Sequence, residues 1–304
     1  MARVMCAGVA VVDFVLSVEQ MPVAPEKYRA YDGRMIGGGP AATGAVAVVR
    51  LGGAAALAAR IGADPIGALI VDDLESEGVD CSAVRRIEGA RSSFSSVLID
   101  RDGERIIVNY RDPSLAGEAD WIDDRTPAFD VALADTRWPL GAETLIALAR
   151  RRGAPAVLDA EEPVAPARAA LGAASHVVFS ATGLREHAGE QDLHRALASA
   201  QRAHGGFVAV TDGARGVLWR DGSRAGHEPA LDVCVVDTLG AGDVWHGAFA
   251  LALGEGMDSV RAIRFASATA ALKCSRPGGR AGAPCRAEVD ALLGETQAPW
   301  GTAR

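Results

Sequence analysis

Short β-branched runs alternate with longer helix-period stretches along almost the whole chain, and this rhythm leaves few architectures open. Val4–Val12, Val131–Ala134, Ala156–Leu158, Val177–Phe179 and Phe207–Thr211 read as buried strands. Ala41–Leu51 and stretches near 142–152, 192–204 and 258–273 read as helices. Asp64-Pro65 supplies an N-cap followed by Pro at the first helical position, which opens another helix to about Glu77. Strands and helices in alternation predict an α/β domain with a mostly parallel sheet, helices on both of its faces, and ligands beyond the carboxyl ends of its strands. The chain has 304 residues and shows neither an internal repeat nor a low-complexity linker, so a single domain over 1–304 is expected. The last ten residues read as a frayed end.

Two segments break the rhythm. Ser93–Asp100 and Glu104–Tyr110 flank Arg101-Asp102-Gly103, a hairpin signal. Phe14–Glu19 and Arg29–Ile36 supply two further strand patterns. Together, regions of about 14–36 and 91–112 make either a small β-sheet that projects from the main domain or an extension of its edge.

Composition removes several classes. No apolar run approaches the ~18 residues of a membrane span, and the apolar N-terminal stretch ends at Asp13 without a small-residue cleavage pattern, so it reads as a strand. The five cysteines are scattered without a C-x-x-C pair, which points to a reducing cytoplasm rather than disulfides or structural zinc. A net charge of −8 without a Lys/Arg block disfavours nucleic acid. Histidines other than His246 have no ligand-like spacing and read as surface residues.

The chemistry concentrates in Asp237-Thr238-Leu239-Gly240-Ala241-Gly242-Asp243, after a strand-like Val233–Val236 and before a helix from Val244. A Gly-Ala-Gly turn at a helix start leaves backbone N–H groups unpaired where the helix dipole is positive, so an anion can settle there. Asp243 then stands beside that anion as a base for a hydroxyl proton. Gly240, Ala241 and Gly242 would hold phosphoryl charge as it develops. The chain has no Gly-x-x-x-x-Gly-Lys, no His-Arg-Asp loop, and no Gly-x-Gly-x-x-Gly after the first strand. P-loop and protein-kinase chemistry are thereby removed, and a dinucleotide-dependent oxidoreductase is weakened.

This string resembles the C-terminal signature of the ribokinase-like, or PfkB, carbohydrate kinases. Gly38-Gly39-Pro40-Ala41-Ala42-Thr43-Gly44-Ala45 resembles that family's N-terminal Gly-Gly motif, Asp13 its sugar-hydroxyl ligand, and Thr211-Asp212-Gly213-Ala214-Arg215-Gly216 its nucleotide-side loop. The resemblance implies a Rossmann-like three-layer α/β domain with the regions of about 14–36 and 91–112 as its β-sheet lid, a sugar kinase using ATP and Mg2+, and homodimers formed through the lids. On the nucleotide side it implies Thr211, Gly213, Gly216 and Thr238, and it leaves a monovalent cation open, since some relatives use one. Thr43 stands where many members carry Asn. Ser180-Ala181-Thr182-Gly183 stands where many carry an Asn-x-x-Glu motif that organises the metal, so no protein metal ligand is assigned.

Finer strings are similar to the subgroup that phosphorylates 6-deoxy-6-sulfofructose on its 1-hydroxyl. They are Gly37–Thr43, Gly103–Tyr110, Leu133–Trp138 and Ala271–Arg280. The resemblance implies that Lys27, Asn109 and Arg137 hold the sulfonate, with Lys27 arriving from a neighbouring subunit. A permanent monoanion with three acceptor oxygens requires fixed donors of that kind. A kinase for another keto-sugar, a phosphosugar or a nucleoside remains open, as does a non-catalytic sugar sensor of the same fold. An intact Asp243 argues against the sensor.

Overall fold

The computed structural model describes residues 1–296. The expectation of a frayed end falls mostly outside them. Thirteen strands form two sheets among these residues. The strands are β1 (Arg3–Ala7), β2 (Val11–Ser17), β3 (Asp32–Gly38), β4 (Ala54–Gly62), β5 (Val84–Ile87), β6 (Phe94–Ile99), β7 (Arg105–Tyr110), β8 (Val131–Asp135), β9 (Ala156–Ala160), β10 (His176–Ser180), β11 (Phe207–Thr211), β12 (Val217–Asp221) and β13 (Arg224–Glu228). The helices are α1 (Pro40–Arg50), α2 (Pro65–Ser76), α3 (Pro139–Arg151), α4 (Arg168–Ala173), α5 (Ala181–Ala188), α6 (Leu193–His204), α7 (Ala241–Gly254), α8 (Ser259–Cys274) and α9 (Arg286–Thr296).

The large sheet runs β13-β12-β11-β10-β9-β8-β1-β4-β5. It is parallel from β11 through β5, with β12 and β13 added antiparallel at one edge. One face is covered by α1, α2, α7, α8 and α9, through residues such as Val46, Leu74, Phe249, Phe265 and Val289. The other is covered by α3 to α6, through Leu145, Leu171, Leu184 and Leu197. Burial on both faces explains why the central strands are continuous apolar runs rather than alternating ones. The small sheet runs β3-β2-β6-β7, its first strand beginning at Val11 and its second ending at Gly38.

The expected helices appear with ends shifted by a few residues, and Asp64 caps α2 by accepting from Gly67 N at 2.7 Å. Val4–Val12 is not one strand. The chain leaves the large sheet after Ala7 and enters the small one at Val11. A Cβ at Gly8 would lie 2.0 Å from Asp135 Oδ2, and Val9 N donates to that oxygen at 2.9 Å, so the buried carboxylate turns the chain. Val233–Val236 is not a strand either. Val235 and Val236 are exposed, and the N–H groups of Val236 and Asp237 both donate to Cys274 O. Its β-branched residues have no sheet neighbour to pair with.

Candidate active site

The string 237–243 lies just beyond the large sheet and opens α7. Gly240 is its N-cap in the left-handed region (φ 73°), with no side-chain cap, and the first intrahelical bond runs from Val244 N to Gly240 O. The N–H groups of residues 241–243 therefore have no acceptor within the helix. Ala241 N turns back to Thr238 O at 3.2 Å, which leaves Gly242 and Asp243 as the donors facing outward. The turn lines a cavity of about 610 Å³, and Thr238, Leu239, Gly240, Ala241, Gly242 and Asp243 all border it.

Asp243 occupies an electrostatic position that suits a base. Burial, then the nearby Asp159 and Glu161 carboxylates, push its pKa up to about 8, with His246 opposing. Such a carboxyl exchanges its proton near neutrality instead of near pH 4. Asp159 is itself buried and raised, and its Oδ1 has no hydrogen-bond partner among the described residues. His246 packs behind the turn, its Nδ1 2.8 Å from Gly242 O and 3.4 Å from Asp159 Oδ2.

The acceptor side of the cavity is built where the two sheets meet. Asp13, at the start of β2, projects into the cavity. Burial raises its pKa against a hydrogen bond from Ser95 and the charge of Arg280. Gly39 caps α1 with φ 93°, and a Cβ there would lie 2.2 Å from Val9 O, so only glycine permits this approach. Gly38 and Thr43 sit one layer deeper, around a small recess shared with Asp13, Gly240, Asp243 and Arg280. Asn109 on β7 lines the cavity and donates to Ser95 Oγ at 3.0 Å. Arg137, just beyond β8, lines it too and donates to Glu161 Oε2 at 2.7 Å.

Lys27 is placed differently. It lies on an exposed loop before β3 and borders neither cavity. Thr211 ends β11, and Gly213 and Gly216 bracket a short 3-10 turn beside it. That turn is at the same end of the sheet, outside the main cavity, whereas Thr238 lines it.

Three residues escaped the sequence reading. Arg111, one residue past β7, borders the cavity with no hydrogen-bond or ion-pair partner among the described residues. Burial lowers its pKa and Arg137 adds to that, against the buried Asp135 carboxylate, which raises it. Glu161, following β9, is the cavity carboxylate facing Arg137. Asp135 ends β8 and accepts from the backbone of Val9, Ala41 and Arg137 at 2.9–3.0 Å, which ties the two sheets and α1 together. A signal for Asp135 and Glu161 existed, since polar residues at strand carboxyl ends mark α/β sites. Trp138 packs instead of lining the cavity, stacked on Trp121 and bonded to Gly117 O. His176 is half-buried, with its ring against Phe207 and edge-on to Phe249.

Known proteins share this fold. The family model for pfkB family carbohydrate kinases matches residues 1–286. The ATP-dependent ribose-1-phosphate kinase of Halopiger xanaduensis is 31% identical over 97% of this chain and 99% of its own length. The Bacillus subtilis ribokinase is 27% identical over 96% and 100%. A crystal structure from Agrobacterium tumefaciens, provisionally named a ribokinase, superposes with a TM-score of 0.90 at 37% identity, covering 97% of this chain and 98% of that one. With a family match over residues 1–286 and a buried carboxylate on an uncapped glycine turn, the chain belongs to the pfkB family of carbohydrate kinases, phosphotransferases with an alcohol group as acceptor.

Proposed function

We propose that the protein transfers the γ-phosphoryl group of ATP to the 1-hydroxyl of 6-deoxy-6-sulfofructose. The observation that carries this reading is that one cavity joins the base and the anion turn to a cationic wall of Arg111, Arg137 and Asn109. Glu161 and the buried Asp135 both act on these two guanidiniums, and N–H donors remain for an anion on that wall. A monoanionic sulfonate matches it, and Lys27 from a second copy of the chain would add a further cation. A neutral sugar would leave Arg111 unpaired in the cavity.

In the reaction, Asp243 accepts the proton of the attacking hydroxyl as its oxygen bonds to the γ-phosphorus and the bond to the ADP oxygen breaks. The Gly242 and Asp243 N–H groups hold the charge on the phosphoryl oxygens, a fixed dipole set that needs no reorganisation. Asp13 orients the sugar hydroxyls. No group of three metal-type side chains exists among the described residues. The orphaned Asp159 Oδ1 and the carboxylates around it nonetheless fit a Mg2+ held mainly by nucleotide phosphates. Glu161 and Asp159 would hold that ion, which neutralises phosphate charge. Gly213 and Gly216 would border the nucleotide, in a cytoplasmic enzyme.

A second reading is favoured by one relative, whose name gives a sugar phosphate as its acceptor. ADP release with Mg2+-ATP separates the two when 6-deoxy-6-sulfofructose, fructose 6-phosphate, ribose 1-phosphate, fructose and ribose are compared. A preference of about 10² or more in kcat/KM for the sulfosugar is expected, from two charge-assisted contacts at ~1.5–3 kcal/mol each. Arg137→Ala should erase that preference mainly through KM. A fructose or ribose preference would remove the cationic wall from the account, and a phosphosugar preference would replace the sulfonate.

A further inference from the structure

Lys273 is one of two lysines in the chain and is 0% exposed, in the last turn of α8. A buried ammonium costs several kcal/mol unless it is paired and hydrogen-bonded. Its Nζ donates to the main-chain O of Asp237 at 2.7 Å and lies 3.5 Å from Asp237 Oδ2. Asp237 opens the anion turn, and its carboxylate accepts from Leu239 N at 2.8 Å, Gly278 N at 3.1 Å and Gly279 N at 2.9 Å. Arg105 of β7 approaches Oδ1 at 3.6 Å. One aspartate thus binds the turn, the loop after α8 and the small sheet, and Lys273 holds that aspartate from inside.

The carbonyl and N–H of a trans peptide point in opposite directions. Pinning Asp237 O inward therefore directs the next N–H, that of Thr238, the other way. The ammonium also places a full positive charge behind the turn, where phosphate charge develops in front. A metal ion acting on this turn from behind would need several oxygen ligands. Two of the available oxygens, Asp237 O and Oδ2, are already on Lys273.

We propose that Lys273 is a built-in cation of the phosphoryl-transfer turn. It is a positioning residue that keeps residues 238–242 in their anion-binding shape and makes transfer independent of added monovalent cation. Steady-state kinetics of the full chain, using whichever panel sugar turns over, test this in choline chloride against KCl or NH4Cl at equal ionic strength. Wild-type kcat should stay within about twofold across these salts, and a rise of about fivefold or more with K+ overturns the proposal. Lys273→Met should lower kcat by about 10–100-fold, the worth of one charged hydrogen bond, with acceptor KM nearly unchanged and partial rescue by NH4+ or K+. A folded Lys273→Met protein with wild-type kcat overturns it, and so does one with equal losses in kcat and acceptor affinity and no rescue. If that variant fails to fold, the wild-type salt response decides alone. Calorimetry with Mg2+-AMPPNP needs no acceptor, and the variant should bind it at least about tenfold more weakly while AMP binding is unchanged. Equal weakening of both nucleotides would overturn the positioning role.

Discussion

At the scale of single residues, Asp243 opposes stability to function. Its carboxyl is pushed up to about 8 by burial and by Asp159 and Glu161. A carboxyl whose pKa rises on folding contributes stability below its ordinary range and loses that contribution as pH climbs through the raised value. The wild type should therefore weaken between about pH 4 and pH 8 relative to Asp243→Asn. At pH 9 the variant should melt higher by about 2–4 °C for each kcal/mol recovered, as read by calorimetry. The same variant should lose ~10²–10⁴ in kcat. Wild-type kcat/KM should rise with pH toward about 8 and then level, because the base acts only when deprotonated. An unchanged melting temperature at pH 9 would mean that Asp243 is not held protonated by its neighbours. The place of Asp243 on the first turn of a helix was legible in the sequence because its motif is local. Arg111 was not, because its lack of a partner is a property of the assembled cavity.

At the scale of elements, the site depends on how closely α7 approaches α1. A Cβ at Gly247 would lie 2.3 Å from Gly44 O, so these helices touch through backbone. Gly247→Ala must push them apart, and overpacking of this kind costs typically 1–3 kcal/mol. Because α7 carries Asp243 on its first turn, kcat should fall beyond what the lost folded fraction explains. Urea denaturation alongside kinetics at low temperature checks both parts, and a fully folded variant with wild-type kcat would show that the crossing tolerates the methyl. Helix positions were readable from capping and period, as with Asp64 and α2. Strand β4 was missed because Ala54–Gly62 is alanine-rich, with weak strand preference. It is a strand because β1 and β5 flank it and bury it.

At the scale of the whole molecule, the small sheet presents one face to the cavity through Asp13, Ser95, Val97, Ile107 and Asn109. The alternate residues Leu16, Met35, Ile106 and Val108 are exposed large apolar side chains on its other face. A second copy of the chain covering that face would remove them from water and bring Lys27 toward a neighbouring cavity. Sedimentation of the wild type should accordingly give a dimer. Val108→Asp should shift it toward monomer and raise KM for an anionic acceptor more than KM for ATP. A wild-type monomer at micromolar concentration would remove Lys27 from the site. The alternation of strand and helix and the glycine turn that sets Asp243 at a helix start were determined by the sequence alone, because hydrogen-bond period, glycine geometry and helix-end chemistry act within a few residues. Tertiary structure alone decided that Val4–Val12 divides between two sheets at Asp135, that Val233–Val236 joins no sheet, and that Lys273 lies beneath the turn. The first and last of those outcomes depend on groups distant in sequence meeting in a low-dielectric interior, where an unpaired charge or N–H is too costly to leave.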